Sequence, residues 1–471
     1  MTNTKWLRRA LLGSVALGVM ASGAQANELD ELKAQLEALQ GRVNQLEQQP
    51  VQMALPEGVS LLSISRGSAD LPNYGTQAAR DKHNFPSDAG FTIAVTPTAD
   101  LPAPIAEVVV YGYVKGDVIY DFDKDLGDTF YVGGLWSSTG DDDEHIRLHA
   151  FQSRFGIRSR TDTAIGQIRT QIEGDFFGSP FGDTGEFRLR HAYGEWDMTP
   201  NWTFLAGQTW RTAVLLPIGV TTVDFSGSAG VNGFPRAAQV RLTYHSGPIS
   251  WAVAIERPTH QSTADWPNLS SYLQFDAPGG HTFIASATVA DTNDTNFDFI
   301  SGDDVGWAVQ AGANINLADI ASLTVAGLYG EGGEQCTYLA QEISGCNLYN
   351  ANKFFLDDFI SDKGWGVLAG LSFGITDTTT FNVQYGITQL ENDLDFFFSP
   401  ERVTVQTVHA NILWRPVQQM QLGWEVMWGQ YDFDDGVFFG GGNFCGDDFD
   451  ERCPSRKDDA IRAQFGAWFF F

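Results

Sequence analysis

The C-terminal residues 461–471 alternate between two faces and end on an aromatic carboxyl terminus. Counted in steps of two from the end, one face carries Ile461, Ala463, Phe465, Ala467, Phe469 and Phe471, whereas the other carries Arg462 and Gln464, with Trp468 and Phe470 at the rim. A strand of this kind is typical of the closing strand of a bacterial outer-membrane β-barrel. From this segment alone, the alternative is an amphipathic edge strand of a soluble β protein.

The composition of the whole chain favours the barrel. The chain has 471 residues, of which 50 are Gly and 13% are aromatic, yet its mean hydropathy is only -0.16. Aromatic residues form the interface girdles of a membrane barrel, and polar residues line its lumen. The formal net charge of -29 argues against a nucleic-acid partner, because such proteins need a basic surface.

The N-terminal residues predict export from the cytoplasm. Lys5, Arg8 and Arg9 precede the apolar run 10–20, and small residues follow it, so we expect residues 1–26 to be a secretory signal peptide. No later stretch approaches the ~20 continuous apolar residues of a membrane-spanning helix. An exported chain of this kind can cross a membrane only as a closed barrel, in which all backbone groups are paired. The expected location is therefore the bacterial outer membrane.

Residues 27–49 predict a short coiled-coil helix in the periplasm. The apolar positions are spaced by three and four residues, at Leu29, Leu32, Leu36, Leu39, Val43 and Leu46. This is an a/d seam over three heptads. Because so short a helix is marginal alone, it needs a bundle or an oligomeric barrel. The core residues leave the number of helices open, and a lone amphipathic helix is the alternative.

Two further regions follow the helix. Residues 50–106 are rich in Pro, Gly, Ser and Ala without a sustained period, which predicts a linker. Residues 107–471 have a period of two, which predicts the transmembrane barrel. In the first strand, one face carries Val110, Gly112, Val114, Gly116, Val118 and Tyr120, and the other carries Lys115, Asp117 and Asp121.

Short turns alternate with long loops along the barrel region. We place the turns at 161–163, 199–201, 246–248, 277–280, 317–319, 376–378 and 415–417. Seven turns between hairpins predict an all-β fold, an antiparallel barrel of about sixteen strands, which would leave a water-filled channel. Within 402–414 the alternation breaks between Val405 and Val408, so we expect either a bulge there or a strand boundary other than the one assigned.

The third long connection, 211–235, is unusually apolar for an external loop. It includes Leu215, Leu216 and Ile218. If the loop folds inward, it buries these residues against the wall and narrows the pore. The alternative is an external loop that packs at a subunit interface.

Six arginines fall on the inward-facing parity of neighbouring strands, in a chain with only 29 Lys and Arg. They are Arg154, Arg158, Arg169, Arg188, Arg190 and Arg241. Guanidinium groups match carboxylates, so a row of them at a pore constriction favours anions over cations. The alternative is a structural ladder in which Glu173, Asp175 and Glu186 cancel their charge.

The four cysteines lie in two predicted surface loops, Cys336 with Cys346 and Cys445 with Cys453. In an oxidising compartment the simplest pairing is a disulfide within each loop. Metal binding is disfavoured, because the spacings are wide and no His is nearby in sequence.

The negative charge is concentrated in acidic runs near the long loops, at 141–144, 303–304, 357–358 and 447–448. These runs are either solvated loop faces or sites for divalent cations shared with lipopolysaccharide.

We do not expect an enzyme or a cofactor. His191 has outward parity with Glu195 four residues along, but a subunit interface explains that pair equally well. No persuasive catalytic triad is present, and spacing alone does not reveal one.

Three features together resemble the DcaP-like family of outer-membrane porins. They are the N-terminal heptad helix, the first strand Tyr-Gly-Tyr-Val-Lys-Gly-Asp at 111–117, and Phe-Arg-Leu-Arg-His-Ala-Tyr-Gly at 187–194. The resemblance implies a trimer of sixteen-strand barrels with a periplasmic coiled coil. It also implies a pore that favours small anions such as dicarboxylates.

We therefore predict a homotrimeric porin in contact with outer-membrane lipids and lipopolysaccharide, through which small anionic solutes diffuse passively. Dicarboxylates and aromatic carboxylates are the expected solutes. The alternatives are a non-selective or carbohydrate-favouring porin, and a surface receptor or adhesin with an incidental pore.

Overall fold

The fold is known from a computed structural model, which describes residues 61–66, 77, 90–96, 106–132, 143–178, 185–216, 218–259, 264–291, 305–318, 320–339, 363–391, 402–434 and 456–471. The signal peptide 1–26 and the helix 27–49 were predicted outside these ranges, so both stay predictions. Among the described residues, no helix has the length and apolar character needed to cross a membrane.

The described residues form nineteen strands and one short 3-10 helix at Glu334–Thr337. The strands are β1 (Leu61–Arg66), β2 (Phe91–Thr96), β3 (Ala106–Asp121), β4 (His145–His149), β5 (Arg154–Thr163), β6 (Gly166–Asp175), β7 (Arg188–Thr199), β8 (Trp202–Trp210), β9 (Arg236–Ser246), β10 (Ile249–Glu256), β11 (Asn268–Ala277), β12 (His281–Asp291), β13 (Val305–Ala318), β14 (Ala321–Glu331), β15 (Lys363–Thr376), β16 (Thr379–Glu391), β17 (Arg402–Val417), β18 (Met420–Asp434) and β19 (Arg456–Phe470).

The strands close into one antiparallel barrel. Each strand from β5 to β19 pairs with the next, and β19 pairs back onto β3, with Phe470 opposite Tyr113. Both β4 and β5 pair with the same side of β3, at His149 and Arg154. The two strands therefore count as a single barrel strand that is interrupted between them. The barrel therefore has sixteen strand positions, β3, β4–β5 and β6 to β19, and this confirms the count predicted from the turns.

Apolar side chains cover the outside of the barrel and polar side chains face the lumen. Ile172, Ile255 and Val426 are all more than half exposed, as expected of a surface that contacts lipid acyl chains. The closing strand β19 follows its predicted alternation, with Phe469 outside and Arg462 fully buried. The fold class is a transmembrane antiparallel β-barrel, as predicted.

The bulge predicted in the middle of β17 is wrong. Val403 and Val405 are buried and face the lumen, and the register of β17 against β18 shifts only at Trp414/Val417. The alternation is therefore regular through this part of the strand. Apolar residues occur on the inner face here because they belong to an apolar cluster inside the barrel.

A hairpin of β1 and β2 continues the wall beside the first barrel strand. In β2, Phe91 pairs with Val110 of β3, directly below the point where β19 ends opposite Tyr113. The hairpin therefore covers the length of β3 that β19 leaves unpaired, and unpaired strand edges are prone to association with other chains. Both strands lie within 50–106, where the sequence predicted a linker.

Candidate pore constriction

Loop 3, the connection 211–235 between β8 and β9, folds into the barrel and lies along its inner wall. Its residues Leu215 and Ile218 are buried in one apolar cluster with Leu328 of β14 and Leu368 of β15. Burial of these side chains removes apolar surface from the water of the lumen. The prediction that loop 3 folds inward is confirmed by these contacts.

Backbone N–H groups hold loop 3 against the strands of the far wall. Val223 and Asp224 both donate from their backbone N–H groups to the Glu425 carboxylate of β18, Asp224 at 2.8 Å. Farther along, the N–H group of Ala229 donates to Thr407 Oγ1 of β17 at 2.8 Å. Each polar backbone group that enters the lumen in these contacts is satisfied, as burial requires. Loop 3 is thus fixed across the pore.

The wall that receives loop 3 has small residues where the loop approaches it most closely. A Cβ atom at Gly386 of β16 would lie 1.7 Å from the carbonyl oxygen of Ala229. A Cβ atom at Gly370 of β15 would lie 2.4 Å from Val220 Cγ2. Both distances are shorter than real contacts allow, so side chains at these positions would force the loop away from the wall.

Guanidinium groups are concentrated on the wall opposite these anchors. We call this set the arginine cluster, and its members are Arg154, Arg158, Arg188, Arg190 and Arg236. The first two lie on β5, the next two on β7 and the last at the start of β9. Four of the six arginines predicted from sequence are therefore brought together, and Arg236 joins them although the sequence analysis did not identify it.

Two carboxylates neutralise part of the arginine cluster. Arg190 donates from Nε to Glu173 Oε1 at 2.9 Å and from Nη1 to Asp175 Oδ2 at 2.8 Å. Arg188 binds Asp175 in a two-pronged contact at 2.9 and 2.8 Å, and Arg154 Nε lies 3.5 Å from Glu173 Oε1. Glu173 and Asp175 therefore form part of the ladder of ion pairs that was the alternative to an anion-favouring constriction. Five guanidinium groups still outnumber these two carboxylates.

The members of the cluster differ in how they meet the lumen. Arg154, Arg158 and Arg190 are at most 4% exposed, whereas the side chain of Arg188 is 31% exposed and Arg236 is half-buried. Among the described residues, Arg236 has no carboxylate within ion-pair distance. Arg188 and Arg236 are therefore the two members of the cluster whose side chains are partly open to solvent.

Aromatic rings accompany the guanidinium groups. The Cζ atoms of Arg236 and Arg190 lie 4.6 and 5.3 Å from the ring centroid of Trp210. Arg188 lies 5.6 Å from the ring of Phe225 in loop 3, and this ring stacks on Phe177 at 4.3 Å. Stacking keeps a guanidinium plane in place without consuming its hydrogen-bond donors. The contact of Phe225 with Phe177 also joins loop 3 to the arginine-bearing wall.

The other two predicted arginines lie apart from the cluster, toward the short turns. Arg169 of β6 donates from Nη1 to Asp197 Oδ2 at 2.6 Å, and its Nε is 3.6 Å from Glu195 Oε2. Arg241 of β9 is 1% exposed and donates from Nη2 to Gln77 Oε1 at 2.7 Å. Both face inward as predicted, but neither contacts the arginine cluster.

His191 faces the lumen, so its predicted outward orientation is wrong. The pairing of β6 with β7 shifts register after Glu173, which pairs with His191, while the next residue, Gly174, pairs with Leu189. Arg190 is the extra residue of this bulge, so it and His191 both point inward. His191 is 1% exposed, and its Nδ1 lies 3.0 Å from the hydroxyl of Thr209. This inward position fits neither of the two roles considered for His191, a catalytic site on the outer face and a contact between subunits.

Most of the remaining candidate residues lie outside the described ranges. Cys336 is half-buried against the apolar cluster, but Cys346, Cys445 and Cys453 are not described, so the two disulfides stay predictions. The same is true of most of the acidic runs. No group of three or more His, Cys, Asp or Glu residues could hold a metal ion in the part of the chain that the structure describes.

Residues 110–445 match the family model of the porin subfamily, which spans more than half of the chain. The chain belongs to the porin subfamily. A comparison with curated proteins finds no match. A barrel with a narrowed, polar lumen is the architecture that this porin needs for the passage of solutes.

The fold of this porin is similar to several solved outer-membrane barrels. The outer membrane channel DcaP of Acinetobacter baumannii is 23% identical, with 78% of this chain and 97% of that chain covered and a TM-score of 0.59. The trimer form of OmpT from Vibrio cholerae is 12% identical, with coverage of 78% and 99% and a TM-score of 0.51. An anion-selective porin from Comamonas acidovorans is 14% identical, with coverage of 78% and 100% and a TM-score of 0.51. The expected resemblance to DcaP-like porins is thereby confirmed at the level of the fold.

Proposed function

We propose that this porin lets small anionic solutes, of the dicarboxylate or aromatic carboxylate class, diffuse passively across the bacterial outer membrane. The observation that carries the proposal is the position of Arg188 and Arg236. Both are accessible from the lumen at the height where Phe225 of loop 3 reaches the opposite wall.

The charge balance of the arginine cluster supports anion preference. Positive groups at a constriction lower the barrier for anions and raise it for cations. The Asp175 carboxylate is fully buried, whereas the side chain of Arg188 that binds it is 31% exposed, so at this pair an incoming solute meets the positive group. The stacked rings of Phe177 and Phe225 beside Arg188 are both partly exposed and add an apolar surface, which suits a carboxylate that carries an aromatic group.

The proposed assembly is a homotrimer whose outer surface contacts outer-membrane lipids and lipopolysaccharide. The trimer form of the OmpT neighbour and the predicted heptad helix support it. The proposed transport requires no covalent chemistry and no cofactor, because diffusion through a pore needs only a favourable path.

Reversal potentials in planar bilayers under a salt gradient test the proposal. We expect the wild-type protein to prefer anions, and the double variant Arg188→Gln/Arg236→Gln to lose most of that preference. Lys457→Gln is the control, since Lys457 is exposed on β19, away from the arginine cluster. Equal selectivity of the wild type and the double variant would exclude these two arginines as the filter.

A carbohydrate-favouring pore is the second candidate. Phe151, Phe177 and Phe225 form a continuous line of rings, with centroid distances of 5.7 and 4.3 Å. Weak ion selectivity, together with block of the current by neutral oligosaccharides, would favour this function. A protein that gives no conductance at all would instead support a receptor or adhesin.

A further inference from the structure

Lys115 of β3 is a fully buried cation whose ammonium group reaches loop 3. Its Nζ donates to the backbone carbonyl of Val223 at 2.6 Å and to Gln152 Oε1. The same Nζ lies 2.9 Å from Asp117 Oδ1. An ammonium group has three N–H donors, so these three acceptors use all of them. Lys115 is therefore engaged with the protein and does not present its charge to the lumen.

Val223 of loop 3 is held through both polar groups of its backbone. Its N–H group donates to the Glu425 carboxylate of β18, whereas its carbonyl accepts from Lys115 of β3. These two strands flank β19, the strand that closes the barrel. The Val223 side chain belongs to a buried apolar cluster with Leu413 and Trp468. One residue of loop 3 is therefore fixed at a defined point of the wall.

The next residue, Asp224, closes a tight turn that carries Phe225. Its Oδ2 accepts from the N–H groups of Ser226 at 2.8 Å and Gly227 at 3.3 Å, the local pattern of an Asx turn. Gly227 has a φ of 77°, a left-handed conformation that favours glycine. Phe225 is two residues from Val223, at most about 7 Å along the chain. The position of the Phe225 ring therefore depends on where Val223 is fixed.

The ring of Phe225 borders the constriction. It stacks on Phe177 at a centroid distance of 4.3 Å, and Arg188 Cζ lies 5.6 Å from its centroid. Both rings are partly exposed, as is the side chain of Arg188. A flat aromatic solute can contact these rings while its carboxylate contacts the guanidinium group. A displacement of Phe225 would separate its ring from Arg188.

We propose that Lys115 is a positioning residue of the pore, which fixes the Val223 carbonyl so that Phe225 presents its ring beside Arg188. Lys115 itself contacts no solute, and Phe225 is the residue that distinguishes aromatic from aliphatic carboxylates. The inference rests on the proposed function, since it requires that carboxylates pass through the constriction. Loss of the ammonium group leaves the Val223 carbonyl without this donor, so the turn that carries Phe225 can move away from β7.

Permeability ratios from bi-ionic reversal potentials test this role, with benzoate and cyclohexanecarboxylate as the probes. The two anions have the same charge and nearly the same size, so a change in the field or in the width of the pore affects both alike. We expect the wild type to favour benzoate and Lys115→Met to lower the ratio about threefold, the size expected for loss of one aromatic contact. Lys124→Met is the matched control, because the ammonium group of Lys124 binds Asp458 of β19. Its ratio should equal that of the wild type.

A second variant, Phe225→Leu, tests the same role without removing a buried charge. It should lower the ratio by a similar factor, and Lys115→Met should add nothing in its background, because the two residues act through one ring. A wild-type ratio in Phe225→Leu, or in a folded Lys115→Met barrel, would overturn the inference, as would independent effects of the two substitutions. Failure of the proposed function is a separate result, a wild-type reversal potential near zero in a KCl gradient.

Discussion

The two sides of the lumen hold their polar groups in different ways. On the side of β5–β9, guanidinium groups bind the carboxylates Glu173 and Asp175 and stack on aromatic rings. On the side of β16–β18, hydroxyl groups and one carboxylate accept hydrogen bonds from the backbone of loop 3. In the arginine cluster the first side carries more guanidinium groups than carboxylates, whereas the second side holds loop 3 in the lumen.

This difference implies that substitutions on the two sides have separable effects. Removing a buried guanidinium group leaves carboxylates without their partner, so it should affect the stability of the barrel. Removing an anchor of loop 3 leaves backbone groups that can turn to the water of the lumen, so it should affect pore size. The predictions below test this separation.

Arg190→Ala should give the largest loss of stability. Arg190 binds both Glu173 and Asp175, and loss of one partner of a buried ion pair costs about 3–5 kcal/mol. Arg188→Ala is the matched control, because Arg188 shares Asp175 but is partly exposed. Urea unfolding in detergent, followed by tryptophan fluorescence, measures both. Equal losses in the two variants would show that burial does not distinguish them.

Glu425→Ala should enlarge the pore. The Glu425 carboxylate accepts from two backbone N–H groups of loop 3, and without this acceptor the loop loses its attachment to β18. We expect a higher single-channel conductance with little change in ion selectivity. Gln421→Ala on the same face of β18 is the control. If conductance stays at the wild-type value, Glu425 does not hold loop 3 in place.

The sequence predicted the barrel well because the outer rows are apolar along their whole length. In β19, Ile461 to Phe471 alternate without interruption, and the structure places every second residue outside. The inner face obeys no such rule, since it combines charged, small and apolar residues according to what loop 3 covers. Val405 illustrates this, because its inward position depends on an apolar cluster formed by other strands.

The candidate site was predicted only in part, for three reasons. The bulge at Arg190 changes the parity of β7, and nothing in the local sequence marks it, so His191 was assigned to the wrong face. Arg236 follows a long loop, and the sequence alone did not define the residue at which β9 starts. Its partner Trp210 is distant in sequence. Gln77 lies in a segment without any period. The positions of Arg236 and Gln77 are both determined by contacts with residues distant in sequence.

The smallest expected effect is at Glu334, a buried carboxylate that lies away from the arginine cluster. It lies in the 3-10 helix after β14, where it accepts hydrogen bonds from Thr259 Oγ1, Asn268 Nδ2 and Thr288 Oγ1. Burial raises the pKa of Glu334 to about 7. The charged groups that face it are Arg211, which favours ionisation, and Glu256, which opposes it.

The pH dependence follows from this raised pKa. The folded state retains the proton that the unfolded chain releases above about 4.5, the ordinary pKa. Stability from this group is therefore complete below that pH and is lost as pH rises to about 7. Glu334→Gln keeps an acceptor oxygen and should remove this decline, measured as unfolding temperature between pH 4 and 8. Glu331→Gln at the end of β14 is the control; a decline that persists in Glu334→Gln would show that another group titrates.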